Sequence, residues 1–98
     1  MQTITPEQLK ALLETTGEVV LVDVRETWER DDFNIGGIHI PLSEIMERSS
    51  EIPSDKDVVV YCRKGIRSQI AIQRLEQKNY NNLINLSGGI EAWLNSSG

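Results

Sequence analysis

One cysteine stands at the end of an apolar run, directly before a short segment rich in arginine and glycine. The segment runs Tyr61-Cys62-Arg63-Lys64-Gly65-Ile66-Arg67-Ser68. A cysteine thiol titrates near pH ~8.5, so a nucleophilic cysteine needs neighbours that stabilise its thiolate. Arg63, Lys64 and Arg67 supply cations, and Gly65 lets the backbone curl so that its N–H groups face an anion. The segment therefore predicts an exposed and reactive thiolate at Cys62.

The residues around this segment predict the elements that position it. Val58 to Tyr61 is β-branched and aromatic, which is typical of a buried strand. From Ser68 onward, apolar residues recur at helical spacing. Cys62 then lies at the carboxyl end of a strand, where open parallel sheets bind ligands. The N-terminal amides of the following helix should face the contents of the loop and add partial positive charge.

Short apolar runs alternate with amphipathic ones along the rest of the chain. This pattern predicts an α/β fold of three layers, with a central, mostly parallel sheet of about five strands and helices on both faces. Strands are predicted at 3–4, 19–23, 38–39, 58–61 and 83–86. Helices are predicted from the N-cap Thr5 to before Gly17, over 28–32, from Ser43 through Met46, from Ser68, and from the pair Gly88-Gly89. Asn79 is a candidate left-handed cap, and 95–98 is predicted to be a frayed tail.

Length and charge limit the classes of function. The 98 residues predict a single domain over 1–98 with a core over about 4–94, and the formal net charge of −5 excludes a broad basic face for nucleic acid. No apolar run reaches membrane-spanning length. One cysteine allows no internal disulfide, which fits a reducing compartment, so we expect a cytoplasmic protein. We also expect a monomer. Nucleophilic attack by a thiolate requires no metal and no organic cofactor.

Three stretches together resemble the rhodanese-like family of sulfurtransferases. They are the loop itself, Asp23-Val24-Arg25-Glu26 upstream, and Leu86-Ser87-Gly88-Gly89-Ile90-Glu91-Ala92-Trp93 downstream. The resemblance runs from about Ile4 to Trp93 and includes the stretch Gly36-Gly37-Ile38-His39-Ile40-Pro41-Leu42. One departure is Phe33-Asn34-Ile35, where the family often has a histidine. We expect little chemical consequence, because this segment is not part of the loop.

The resemblance implies a sulfurtransferase of the thiosulfate or persulfide type. Cys62 is then the catalytic residue and carries sulfane sulfur as a persulfide. The loop that binds the substrate anion comprises Arg63, Lys64, Gly65, Ile66, Arg67 and Ser68. The donor is a small sulfur-containing anion, such as thiosulfate, or a persulfide. The acceptor is a thiol, cyanide or a protein cysteine.

Two other functions stay open at this point. Cysteine-based phosphatases resembling this fold need five residues between cysteine and arginine to wrap a phosphate, whereas four separate Cys62 from Arg67. The shorter ring fits a single terminal sulfur and favours sulfur transfer. The second alternative is a noncatalytic or sulfur-carrier module that serves a partner protein.

Several residues outside the loop receive structural roles. Asp23 and Arg25 alternate in charge at a strand end, which favours an ion pair that holds a neighbouring loop over contact with substrate. Trp28 and Trp93 are expected to be packing anchors, because aromatic residues are scarce in this chain. His39, the only histidine, is expected to have no catalytic role, and Arg67 at a helix start indicates an anionic partner.

Overall fold

Five short strands form one sheet in the computed structural model, which describes residues 1–96. The strands are β1 (Gln2–Ile4), β2 (Val20–Asp23), β3 (Ile38–His39), β4 (Val58–Tyr61) and β5 (Leu83–Leu86). Their order is β1-β5-β4-β2-β3, and every neighbouring pair is parallel. The predicted α/β class and five-stranded sheet are confirmed, with strand ends within one residue of those predicted.

Four helices follow the strands, and glycine or threonine residues determine where three of them begin. They are α1 (Pro6–Thr15), α2 (Thr27–Asp32), α3 (Ile66–Glu76) and α4 (Gly89–Asn95). Thr5 and Gln8 form a capping box, in which each side chain accepts the other residue's backbone N–H. Gly65, with φ 95°, is the N-cap of α3, so this helix begins two residues before the predicted Ser68. Ile66, Arg67 and Ser68 therefore form the first turn of α3.

The helices cover both faces of the sheet, as predicted. Alternate residues of β4 point to opposite faces and enter two apolar clusters. The first cluster joins Val58 and Val60 to residues of α3, including Ala71, Ile72 and Leu75. The second cluster joins Val59 and Tyr61 to Leu9 of α1 and Ile90 of α4. These clusters fix β4 between the two helical layers, and Cys62 follows directly at the carboxyl end of this strand.

The predicted helix from Ser43 through Met46 is wrong. The chain there forms 3₁₀ turns at Leu42–Glu44 and Ser49–Glu51. Pro41 takes the N-cap position, and the N–H of Leu42 donates to the Val24 carbonyl, so the turn begins before Ser43. Asn79 has the predicted left-handed conformation, with φ 70°.

The C-terminal helix extends into the predicted tail. Asn95 belongs to α4, so the prediction of a frayed tail is wrong at this residue, and residues 97 and 98 of that stretch lie outside the described residues. The single domain over 1–98 stays a prediction. Within residues 1–96, the helices are all too short or too polar to cross a membrane.

Candidate active site

The loop after β4 directs two backbone N–H groups at the sulfur of Cys62. The Gly65 N–H donates to Cys62 Sγ at 3.1 Å, and the Ser68 N–H donates to it at 3.3 Å. Gly65 reaches this geometry because its positive φ turns the chain back over the cysteine. Ser68 reaches it because the first amides of a helix have no partner within the helix. This arrangement is suited to holding a negatively charged sulfur.

The predicted exposure of Cys62 is wrong. The residue is 1% exposed, because the first apolar cluster lies beneath it and the curled loop covers it. A cavity of about 140 Å³ opens beside the sulfur, lined by Cys62, Arg63, Lys64, Ile66 and Arg67. Access to the thiol is therefore through this small cavity rather than from open solvent.

Two of the three loop cations are already paired with carboxylates of the protein. Arg67 donates to both carboxylate oxygens of Glu29 at 2.6 and 2.8 Å. Arg63 donates to Glu91 at 2.9 Å. Lys64 forms no ion pair with any residue in the described part of the chain. The anionic partner that the sequence predicts for Arg67 is thus Glu29 in this structure, and the loop is less positive than its sequence indicates.

The Arg67–Glu29 pair stays ionised over a wide pH range. The hydrogen bonds from Arg67 lower the pKa of the Glu29 carboxyl to about 2, against the opposing effect of burial. Correspondingly, the hydrogen bond to Glu29 raises the pKa of Arg67. Glu29 is buried on α2 and Arg67 lies on α3, so the pair joins these two helices beside the cavity.

The N-terminus of α4 supports the same loop from the other side. The Ile90 N–H donates to the Cys62 carbonyl at 2.9 Å, and the Glu91 N–H donates to the Arg63 carbonyl at 3.0 Å. Gly89 permits this approach, because a Cβ there would lie 2.4 Å from the Cys62 carbonyl oxygen. The Gly88-Gly89 pair therefore starts α4 tightly against the loop, as the sequence predicts.

A buried asparagine on β5 also holds the loop, and the sequence analysis missed it. Asn85 Nδ2 donates to the Gly65 carbonyl at 3.2 Å, and Asn85 Oδ1 accepts a hydrogen bond from Ser68 Oγ at 2.5 Å. Ser68 Oγ in turn lies 3.4 Å from Cys62 Sγ. The available signal was a polar residue at the carboxyl end of an otherwise apolar strand. Glu29 and Glu91 were also missed, and only a capping box from Glu26 to Glu29 marks the first of them.

The residues outside the loop have structural contacts. Asp23 and Arg25 form the predicted ion pair, with Arg25 Nε donating to Asp23 Oδ1 at 3.0 Å. The side chain of Arg25 also donates to the Phe33 carbonyl at 2.7 Å, which holds the loop after α2. His39 Nε2 lies 2.7 Å from the Arg25 carbonyl oxygen and donates to it.

Only one of the two tryptophans is a packing anchor. Trp93 packs against the second cluster, with Lys10 Nζ 4.8 Å from its ring centroid. Trp28 is 68% exposed, so its predicted anchoring role is wrong. The short helix α2 buries Glu29 instead, because that carboxylate pairs with Arg67.

Comparisons with known proteins show what this chain is similar to in sequence and fold. Residues 5–96 match the family model described as rhodanese-like domain. A sulfurtransferase from Allochromatium vinosum is 44% identical over 91 residues, which are 92% of this chain and 85% of that protein. A thiosulfate sulfurtransferase from Coxiella burnetii is 31% identical over 77 residues, covering 78% of this chain and 72% of that protein. A rhodanese-related protein from Thermoplasma volcanium has a crystal structure that matches with a TM-score of 0.86 and 30% identity, covering 99% of this chain and 94% of that one.

Proposed function

Because the chain belongs to the rhodanese-like domain family, we propose that it is a sulfurtransferase in which Cys62 carries the transferred sulfur as a persulfide. One observation carries the proposal: the N–H groups of Gly65 and Ser68 converge on Cys62 Sγ beside a small cavity. Donors fixed in this way stabilise negative charge on sulfur without reorganising during the reaction. A single sulfur atom added to Sγ fits the cavity.

The proposed reaction has two steps. In the first, the Cys62 thiolate attacks the outer sulfur of thiosulfate or of a persulfide. A bond forms between Sγ and that sulfur, the donor's own bond to it breaks, and sulfite or a thiolate leaves with the electron pair. In the second, an acceptor nucleophile attacks the outer sulfur of the Cys62 persulfide and displaces the Cys62 thiolate. The two amides stabilise the anionic sulfur at both stages.

The proposed donor and acceptor follow from the site and from the relatives. Thiosulfate is proposed because a relative from Coxiella burnetii is a thiosulfate sulfurtransferase, and Lys64 gives the cavity a cation without an ion-pair partner in the described residues. The acceptor is proposed to be a thiol, cyanide or a protein cysteine, since the chain has no second cysteine to accept the sulfur. A reducing compartment, which we propose to be the cytoplasm, would keep this thiol free.

Intact-mass measurement after incubation with thiosulfate tests the proposal. We expect the wild-type protein to gain one sulfur atom and Cys62→Ala to gain none. Ser43→Ala, a change at an exposed position that does not line the cavity, should load as the wild type does. An unmodified wild-type protein would instead support the noncatalytic module that docks a partner protein. An aryl phosphate assay covers the phosphatase alternative, and we expect no turnover in it.

A further inference from the structure

A chain of hydrogen bonds leads from the backbone of the loop through β5 to the sulfur of Cys62. Asn85 bonds the Gly65 carbonyl through Nδ2 and the Ser68 hydroxyl through Oδ1, and that hydroxyl lies 3.4 Å from Cys62 Sγ. Asn85 is 7% exposed and Ser68 is fully buried, so bulk water does not compete for these contacts. The direction of each hydrogen bond in the chain can therefore be deduced from its members.

The Gly65 carbonyl fixes where the proton of Ser68 lies. A carbonyl oxygen only accepts hydrogen bonds, so the NH₂ group of Asn85 must face it, and Oδ1 must face Ser68. An amide oxygen has no proton to donate, so the single hydroxyl proton of Ser68 points at Asn85. The side of Ser68 Oγ that faces Cys62 is then a lone pair. A thiol donates an S–H to such a lone pair, whereas a thiolate is repelled by it.

We propose that Asn85 is a positioning residue that holds the Ser68 proton away from Cys62 and so favours the protonated, resting thiol. The amides of Gly65 and Ser68 act in the opposite sense, because they donate to an anionic sulfur. An anionic sulfur gains the Ser68 hydroxyl as a third donor only when that proton turns away from Asn85. Asn85 thus sets how readily the site forms the thiolate. The inference rests on the proposed function only in taking Cys62 as the nucleophile.

The rate of Cys62 alkylation by iodoacetamide as a function of pH tests this proposal. The midpoint of this pH profile is measured for the wild type, Ser68→Ala, Asn85→Leu and the double variant. With Asn85 present, Ser68→Ala removes an acceptor for the S–H and should leave the midpoint unchanged or lower it. In the Asn85→Leu background, the hydroxyl is free to donate to the thiolate. Ser68→Ala should there raise the midpoint by about one pH unit, the size expected for one hydrogen bond to a charged group.

The comparison between the two backgrounds decides the outcome. The proposal requires that Ser68→Ala shift the midpoint more upward in the Asn85→Leu background than beside Asn85. An equal or smaller shift overturns it. Loss of the Gly65 contact is common to both members of the Asn85→Leu pair, so a purely structural role of Asn85 cancels in this difference.

Two further measurements keep the test decisive. Asn81→Leu makes the same change at an exposed position before β5, and its profile should match the wild type. If circular dichroism shows that Asn85→Leu does not fold, Asn85→Ala replaces it under the same criterion. Alkylation needs no sulfur donor, so this result is independent of the mass measurement that tests sulfur transfer.

Discussion

At the scale of single residues, Glu29 determines the position of the Arg67 guanidinium. Both terminal nitrogens of Arg67 bond the two oxygens of this carboxylate, and Glu29 is almost completely buried. Arg67 is the second residue of α3, and Ser68, whose N–H donates to Cys62 Sγ, comes next. The ion pair therefore ties the first turn of α3 to α2. Glu29 thus supports the loop, although it lies 38 residues away in sequence.

The lowered pKa of Glu29 predicts acid sensitivity. The pKa of this carboxyl falls from 4.5 in the unfolded chain to about 2 in the folded one. Its contribution to the free energy of unfolding is thus complete above pH 4.5 and is lost as pH falls towards about 2. We expect the stability difference between the wild type and Glu29→Gln to shrink over this interval. This change should be on the order of 2 kcal/mol. It is smaller than the pKa difference alone implies, because Arg67 is partly exposed and solvent screens the pair.

Urea unfolding followed by circular dichroism at a series of pH values measures this difference. Glu14→Gln is the control, because Glu14 is exposed on α1 and forms no ion pair with a residue of the described chain. The difference in unfolding free energy between Glu14→Gln and the wild type should stay nearly constant with pH. A constant difference for Glu29→Gln as well would contradict the prediction.

The chemistry-bearing residues were easier to predict than their supports. Cys62 and Gly65 are adjacent in sequence to the strand and helix that position them, so the local sequence pattern is enough to predict where they lie. The partners Glu29, Asn85 and Glu91 lie 17 or more residues from the loop groups they bond. Their roles depend on how helices and strands meet in three dimensions. The burial of Cys62 was also missed, because exposure depends on how closely the loop folds over the sulfur.

At the scale of elements, the loop is held by α4 as well as by its own helix. Backbone N–H groups of Ile90 and Glu91 donate to the carbonyls of Cys62 and Arg63. These bonds require close approach of two backbones, and Gly89 provides it. The shape of the loop therefore depends on an element that follows it by more than 20 residues.

We expect Gly89→Ala to disturb both stability and reactivity. An added Cβ would lie 2.4 Å from the Cys62 carbonyl oxygen and 2.6 Å from the Arg63 carbonyl, and φ at this position is +60°. Gly36→Ala is the matched control, because its φ is +91° and its added Cβ meets nothing within 4 Å. Both variants incur backbone strain of about 1–2 kcal/mol. Gly89→Ala should lose about 1–3 kcal/mol more through the clash.

Thermal melting and the rate of Cys62 alkylation at fixed pH distinguish the two variants. Gly36→Ala should lower the melting temperature while leaving alkylation unchanged. Gly89→Ala should change both, since its clash displaces the carbonyl of the cysteine itself. The same alkylation rate in the two variants would show that α4 does not support the loop.

Elements with strong local signals were predicted well. The capping residue Thr5, the proline after it and the apolar periodicity fix α1, and β-branched runs mark β2 and β4. The predicted helix at 43–46 was wrong because a tertiary contact, from the Leu42 N–H to the Val24 carbonyl, decides where the chain turns. Local propensity contains no information about that contact.

At the scale of the whole molecule, the sheet separates two apolar clusters. Ile72 lies in the first cluster and Leu9 in the second, and both are fully buried. Each cluster packs against β4, so the strand that precedes Cys62 depends on both. A substitution that weakens either cluster should therefore affect the site by destabilising the fold.

Substitutions in the two clusters should be additive. Leu9→Ala is expected to cost about 2–5 kcal/mol of unfolding free energy and Ile72→Val about 0.5–1.5 kcal/mol. The double variant should lose their sum to within about 0.5 kcal/mol, because the two side chains lie on opposite faces of the sheet. Denaturant unfolding measures all three variants. A large departure from the sum would show that the clusters are coupled through β4.

The covered position of Cys62 also bears on contact between two copies of the chain. A disulfide brings two Cα atoms to within roughly 4.4–6.8 Å of each other. A sulfur that is 1% exposed beneath its own loop does not meet a second such sulfur at this separation while the loop stays closed. The protein should therefore resist cross-linking in air, although it has a lone thiol, and its oxidation should be limited to reagents small enough to enter the cavity.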